Sequence, residues 1–164
     1  MAMLHVLRPP PAAAAWVEGA IAVRFAPGQH ITRFPAMPNA MLAVRLWPHG
    51  AAAAPLCGPV RFHTLHTQPV VHHHAGAVGA LGLIVRPLAA ATLLGRMGGP
   101  IVNGELSWAE LAGASEAARL DDELALARSP RARLQALLAS LVRTMRQGQP
   151  HAADAAPRWI DALA

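Results

Sequence analysis

The chain contains no lysine: its 14 basic residues are all arginine, set against nine acids for a formal charge of +5. These arginines are scattered rather than gathered into a run, so phosphate contacts by this chain alone would be weak and salt-sensitive. Cysteine is nearly absent as well. Cys57 stands alone, which excludes an intramolecular disulfide and the framework of a small secreted domain. A reducing cytoplasm is the expected compartment. Long hydrophobic runs are missing too: the longest apolar or glycine stretch, residues 75–85, falls far short of the ~20 residues that span a bilayer. Arg8 and the prolines Pro9, Pro10 and Pro11 occupy the place where a signal peptide needs a continuous apolar stretch. Neither secretion nor membrane insertion is expected. Also missing are a G-x-S-x-G elbow, a G-x-G-x-x-G loop, a P-loop and any repeat at solenoid or propeller period.

What is present fits one domain. The 164 residues are enough for a real core, and 54% of them are hydrophobic, although many are alanine and bury little area each. Residues 1–15 read as a flexible, proline- and alanine-rich arm outside the fold proper. Residues 16–147 form the body, mainly β over 16–86 and mainly α over 87–147, and residues 148–164 read as a linker. In 16–24, Val17, Gly19, Ile21 and Val23 alternate with Glu18, Ala20, Ala22 and Arg24, the period of a half-buried strand. Further strand-like runs are 30–34, 41–47, 60–67, 70–74 and 77–86, bounded by proline, glycine and asparagine. In 41–47, Leu42, Val44 and Leu46 oppose Ala43, Arg45 and Trp47, a buried face and a mixed one. The mixed face either lines a pocket or meets solvent.

From Pro87 onward the pattern turns helical. Pro87 is a good first-turn residue for a helix over 88–94, with Gly95 as its stop. Ser107 and Glu110 match the S-x-x-E capping box of a short helix ending near Gly113. Leu120, Leu124 and Ala127 give the next helix one apolar stripe. Ser129-Pro130 reads as an N-cap and first helical position. The clearest helix follows, with Leu134, Leu137, Leu138, Leu141, Val142 and Met145 on one face, and Gly148 and Pro150 after it. Trp159, Ile160 and Leu163 begin a last apolar period. The fold class read from this order is α+β: a small antiparallel β-barrel or sheet followed by three or four helices. Trp108 is expected in the core.

His63, His66, His72, His73 and His74 crowd into twelve positions, and imidazole is a common metal ligand. On a strand His72 and His74 share one face while His73 takes the other, so at most two of the triplet meet a single ion. A catalytic metal needs a third ligand, commonly a carboxylate, and no acid lies between Glu18 and Glu105. A metal-dependent enzyme using the 63–74 cluster therefore remains the alternative to histidines at a pocket edge. No catalytic residue, cofactor or metal ligand is assigned.

The segments VVHHHAGAVGALGLIVRPLAAATLLG, ELSWAELAG, ASEAARLDDELALA and SPRARLQALLASLVRTM, taken in order, resemble the amino-terminal, cupin-like sensor domain of AraC-type transcriptional regulators. FPAMPNAMLAVRLW resembles the strand pair that in relatives often reads L-P-D-G-C before an aliphatic strand, with MPNAM in place of the acidic turn. The resemblance spans residues 16–147. It implies an effector-sensing and dimerising domain, not an enzyme, with a small molecule held in the β half and homodimer contacts on the helices. Combined with the mixed strand face and the histidines, it makes Arg45, Trp47, His63, His72 and His74 the expected effector pocket. HAADAAPRWIDALA looks like the first linker helix of the DNA-binding module, whose two helix-turn-helix units would follow Ala164. Specific operator binding by this chain alone is accordingly not expected. An interaction module that pairs with a full-length regulator is a further alternative.

Overall fold

The computed structural model describes residues 3–26, 28, 31–48, 57–74, 76–95, 97 and 102–147. Eight strands and four α-helices follow one another as β1 (Met3–Leu7), a 3-10 turn (Pro11–Ala13), β2 (Val17–Arg24), β3 (Ile31–Phe34), β4 (Ala40–Leu46), β5 (Arg61–His63), β6 (Val70–His73), β7 (Gly79–Val85), α1 (Pro87–Gly95), β8 (Glu105–Ser107), α2 (Trp108–Ala112), α3 (Ala114–Leu126) and α4 (Pro130–Gln147). The fold is α+β with antiparallel sheets. Six strands pair in the order β1-β2-β7-β4-β5-β8, and β3 pairs with β6 in a separate two-stranded ribbon. Neither sheet closes on itself among the described residues, so the architecture is an open sheet with a ribbon rather than a closed barrel. The linker expected over 148–164, its apolar period and the helix stop at Gly148 and Pro150 lie outside the described residues, as do His30 and Pro27.

The period of two on β4 assigns its residues to the two faces. Leu42 is in register with Leu83 on one side and Phe62 on the other, and all three are buried. With Val17, Leu81 and Val85 they meet Leu93, Trp108, Leu120, Leu124, Leu137 and Leu141 in one core cluster. The alternate residues, Met41, Ala43 and Arg45, are in register with Ile84, Gly82 and Ala80 on β7 and, for the first two, with His63 and Arg61 on β5. This second face carries the polar groups. Gly79 allows β2 and β7 to close up, because a Cβ there would lie 2.5 Å from the Val23 carbonyl oxygen.

Residues 1–15 differ from the expected arm. Met3–Leu7 pairs antiparallel with β2 along Leu7↔Ala20 to Met3↔Arg24, and Ala13 is buried. Arg86 fastens the intervening segment by donating from Nε to the Ala14 carbonyl at 2.8 Å, while its backbone N–H reaches the Trp16 carbonyl at 2.9 Å. The prolines direct the chain around the sheet edge, and the 3-10 turn begins on Pro11, where a missing N–H costs no helical hydrogen bond.

The helices obey their sequence signals. Ser107 and Glu110 complete a reciprocal capping box at the start of α2, and Ser129 Oγ accepts from the Ala132 N–H at 3.1 Å ahead of α4. Gly113, at φ 87°, turns α2 into α3. A polar network ties α2, α3 and α4 together inside the apolar cluster. Trp108 Nε1 donates to Ser140 Oγ at 2.9 Å, Ser140 donates to Glu116 at 2.6 Å, and Arg143 donates to both Glu116 oxygens at 2.7 to 3.2 Å. Burial alone would raise the Glu116 pKa, but the hydrogen bonds from Arg143 and Ser140 outweigh it and hold the carboxyl below its ordinary range. Arg143 also reaches Glu123 at 3.2 Å. Among the described residues, no helix is long and apolar enough to cross a membrane.

Candidate functional site

The face of the six-stranded sheet that turns away from the helices is only partly open to solvent, with Arg45 exposed on it. The β3-β6 ribbon covers part of it, and between the two lies a cavity of about 160 Å³. Its walls are mostly apolar: Ile21, Val23 and Met41 from the sheet, Phe25 just after β2, and Phe34 from the ribbon. Gly82 keeps the floor low, since a Cβ there would stand 3.0 Å from Met41 Sδ. All five residues expected at the pocket, Arg45, Trp47, His63, His72 and His74, line this cavity. Arg45, His63 and His72 also line a second, adjoining space of about 390 Å³, together with His66, His73, Asn103 and Glu105. These shared residues form a polar mouth to an apolar chamber.

Each histidine is positioned by a different element. The β4-β5 register sets His63 beside Met41, and the β5-β8 register sets Glu105 across from it. His72 comes from the ribbon, in register with Thr32, and its ring stands edge-on to His63 at 5.0 Å and to Phe34 at 5.4 Å. His74 stacks on Phe25 with centroids 3.8 Å apart and shares a short hydrogen bond with Thr32 Oγ1. Only 5% of its surface is exposed, yet its Nδ1 has no hydrogen-bond partner among the described residues. His73 faces the other way and is exposed, as the strand period requires.

The electrostatics favour neutral rings. Burial pushes the His63 pKa down to about 4, and the neighbouring His72, His66, Arg45 and Arg61 act in the same direction. Burial followed by Arg45 lowers the pKa of both His72 and His74, with Glu105 opposing at His72. His63 Nδ1 lies 3.4 Å from Glu105 Oε2, a spacing that would make an ion pair only with a protonated ring. With two arginines nearby and one tenth of the side chain exposed, desolvation prevails and the contact joins a carboxylate to a neutral imidazole. Glu105 is engaged by Arg61 at 3.5 Å. The Arg45 backbone carbonyl accepts from the Gly58 N–H at 2.9 Å, but the Arg45 guanidinium has neither an ion-pair nor a hydrogen-bond partner among the described residues.

The contributors that escaped the sequence reading include Arg61, Glu105, Phe34 and the apolar walls Ile21, Val23, Phe25 and Met41. The first had a signal, since Arg61 and His63 are two apart on one strand and share its face. Glu105 had none, because three-residue β8 offers no period. For a metal centre, no group of three histidine, cysteine or acidic side chains comes together among the described residues. Cys57 pairs with Leu46 in an isolated bridge outside the cavity lining, and burial pushes its thiol pKa up, away from the reactive thiolate. Compared with known proteins, the chain matches no family model, no curated protein and no solved structure.

Proposed function

We propose that the chain is the effector-sensing and dimerising part of an AraC-type transcriptional regulator, a non-catalytic module that binds a small organic molecule between its open sheet and its ribbon. One observation carries the reading: a mostly apolar chamber bears Arg45, Trp47, His63, His72 and His74 in its lining, and His74 Nδ1 is buried without a hydrogen-bond partner among the described residues. A concave, mostly apolar site with few polar groups is the usual form of a small-molecule site. The α+β order, with antiparallel strands first and helices after, supports a cupin-like sensor as an open variant of that barrel. Leu88 on α1 and Leu126 on α3, each about four-fifths exposed, support self-association through the helices.

The test is a screen of neutral, cationic and anionic fragments by ligand-observed NMR, run on the wild-type chain and on Ala43→Leu, which fills the cavity floor. Binders that are lost in Ala43→Leu, with its circular dichroism unchanged, are the expected result. A screen in which no fragment distinguishes the two proteins would sink the sensing reading. Light scattering over a range of concentrations tests the dimer, and a monomer throughout would remove that part.

A further inference from the structure

We infer that the cavity takes a small organic monocarboxylate, its apolar body under the ribbon and its carboxylate at Arg45. This rests on the sensing reading above and adds the ligand's size and charge.

Size follows from the chamber. A cavity of about 150 Å³ lined by apolar side chains accommodates benzene, and this one has about 160 Å³. One six-membered ring, or a chain of similar bulk, fills it. Phe25 and Phe34 supply flat walls for such a body.

Charge follows from the pairing at the mouth. Arg61 and Glu105 are matched at 3.5 Å, and Glu105, the only acid in the lining among the described residues, is also in contact with His63. A cationic ligand would have to displace Arg61 from that carboxylate. Arg45 lines both the chamber and its mouth, and its guanidinium has no partner among the described residues, so it is the one uncompensated cation of the described lining. A planar guanidinium matches a carboxylate through two parallel hydrogen bonds. A single arginine compensates one negative charge, which favours a monoanion over a phosphate dianion. The neutral histidines complement this arrangement: an imidazole N–H can donate to a carboxylate oxygen without adding a second charge, and His74 Nδ1 is buried and unpartnered.

The experiment uses matched pairs on the full chain: benzoate with benzamide, cyclohexanecarboxylate with its amide, and hexanoate with its amide, each titrated calorimetrically into wild type, Arg45→Gln and Arg45→Lys. A hydrogen-bonded charge pair at a partly exposed site corresponds to about ten- to hundredfold in affinity. At least one carboxylate is expected to bind wild type tenfold or more tightly than its amide. Arg45→Gln should erase that preference, and Arg45→Lys should retain part of it. Amides that bind as well as the acids, or a preference that survives Arg45→Gln, would overturn the carboxylate assignment while leaving the sensing reading intact. Absence of binding by every acid would also overturn it, and the fragment screen then decides separately whether the cavity binds anything.

Discussion

Replacing His63 by glutamine separates a neutral buried ring from an ion pair with Glu105, because the two have opposite pH signatures. The folded-state pKa of His63, about 4, lies below the ordinary value of 6.5. Between those values the unfolded chain binds more protons than the folded one, so stability rises with pH. The contribution of a neutral His63 is complete above about pH 6.5, falls as the solution is acidified, and levels off below about pH 4. With each pKa unit equivalent to about 1.4 kcal/mol, the loss across that window is about 3 kcal/mol. Glutamine keeps a polar group at the position and does not titrate. Urea unfolding of wild type and His63→Gln at about pH 7 and about pH 4 should therefore show the wild-type advantage shrinking by about 3 kcal/mol in acid. A raised folded pKa, as an ion pair demands, would make that advantage grow in acid. Growth, or a difference constant within about 0.5 kcal/mol, would refute the neutral-ring argument.

Glu116→Gln should cost about 1.5–3 kcal/mol near neutral pH, since it weakens charge-assisted bonds from Arg143 inside the helical layer. Because the folded Glu116 carboxyl lies below its ordinary pKa, its contribution is complete above the unfolded value and is lost as pH falls through the folded one, so the penalty should fade in acid; a penalty that persists unchanged would contradict the network. Gly79→Ala places a Cβ 2.5 Å from a backbone oxygen and should destabilise by about 1–3 kcal/mol, whereas Gly82→Ala meets the flexible Met41 side chain at 3.0 Å and should cost less. Urea midpoints of the two variants in the reverse order would refute that comparison.

The sequence was most readable where one period ran long enough to repeat. The alternation on β4 and the leucine stripe of α4 emerge with the expected faces, and the capping box places α2 directly. β2 forms over the expected residues, but a bulge between Val17 and Gly19 puts Val17 with Ala20 and Ala22 against the core, while Ile21 and Val23 line the cavity. Short or context-dependent elements were not readable. Residues 60–67 look like one strand, but the six-stranded ladder holds only Arg61–His63. At the next position Thr64 Oγ1 exchanges hydrogen bonds with the backbone of Gly104 at 2.9 and 3.1 Å, and Leu65 then forms a parallel bridge to Val102. The Thr64 backbone N–H still donates to the Gly104 carbonyl at 3.0 Å, but the side chain takes the Gly104 N–H that would have continued the ladder. Asn103 fixes that junction in a left-handed conformation, φ 57°, with its carboxamide bonded to Thr67. β1 was hidden for another reason: five residues before a proline run give too little period to outweigh the arm-like prolines, and only the bare edge of β2 makes them a strand. At the site, residue types and alternation pointed to five of the lining side chains, whereas the Arg61-Glu105 match that singles out Arg45 arises from strand order, which local sequence does not encode.

Among the described residues the ribbon's hydrogen-bonded ladder lies only within itself, and two strands alone are marginal in water. Ring contacts bridge it to the larger sheet, His72 against His63 and, just past the strand ends, His74 against Phe25. A guest in the chamber would touch both walls at once and serve as the interior that the ribbon lacks. The work needed to peel the ribbon away would then rise by the guest's own binding free energy. Under the proposed sensing function, occupancy and ribbon closure would be one thermodynamic quantity, readable as slowed amide exchange along β3 and β6, and a chemical signal in the chamber would become mechanical stiffness at the surface.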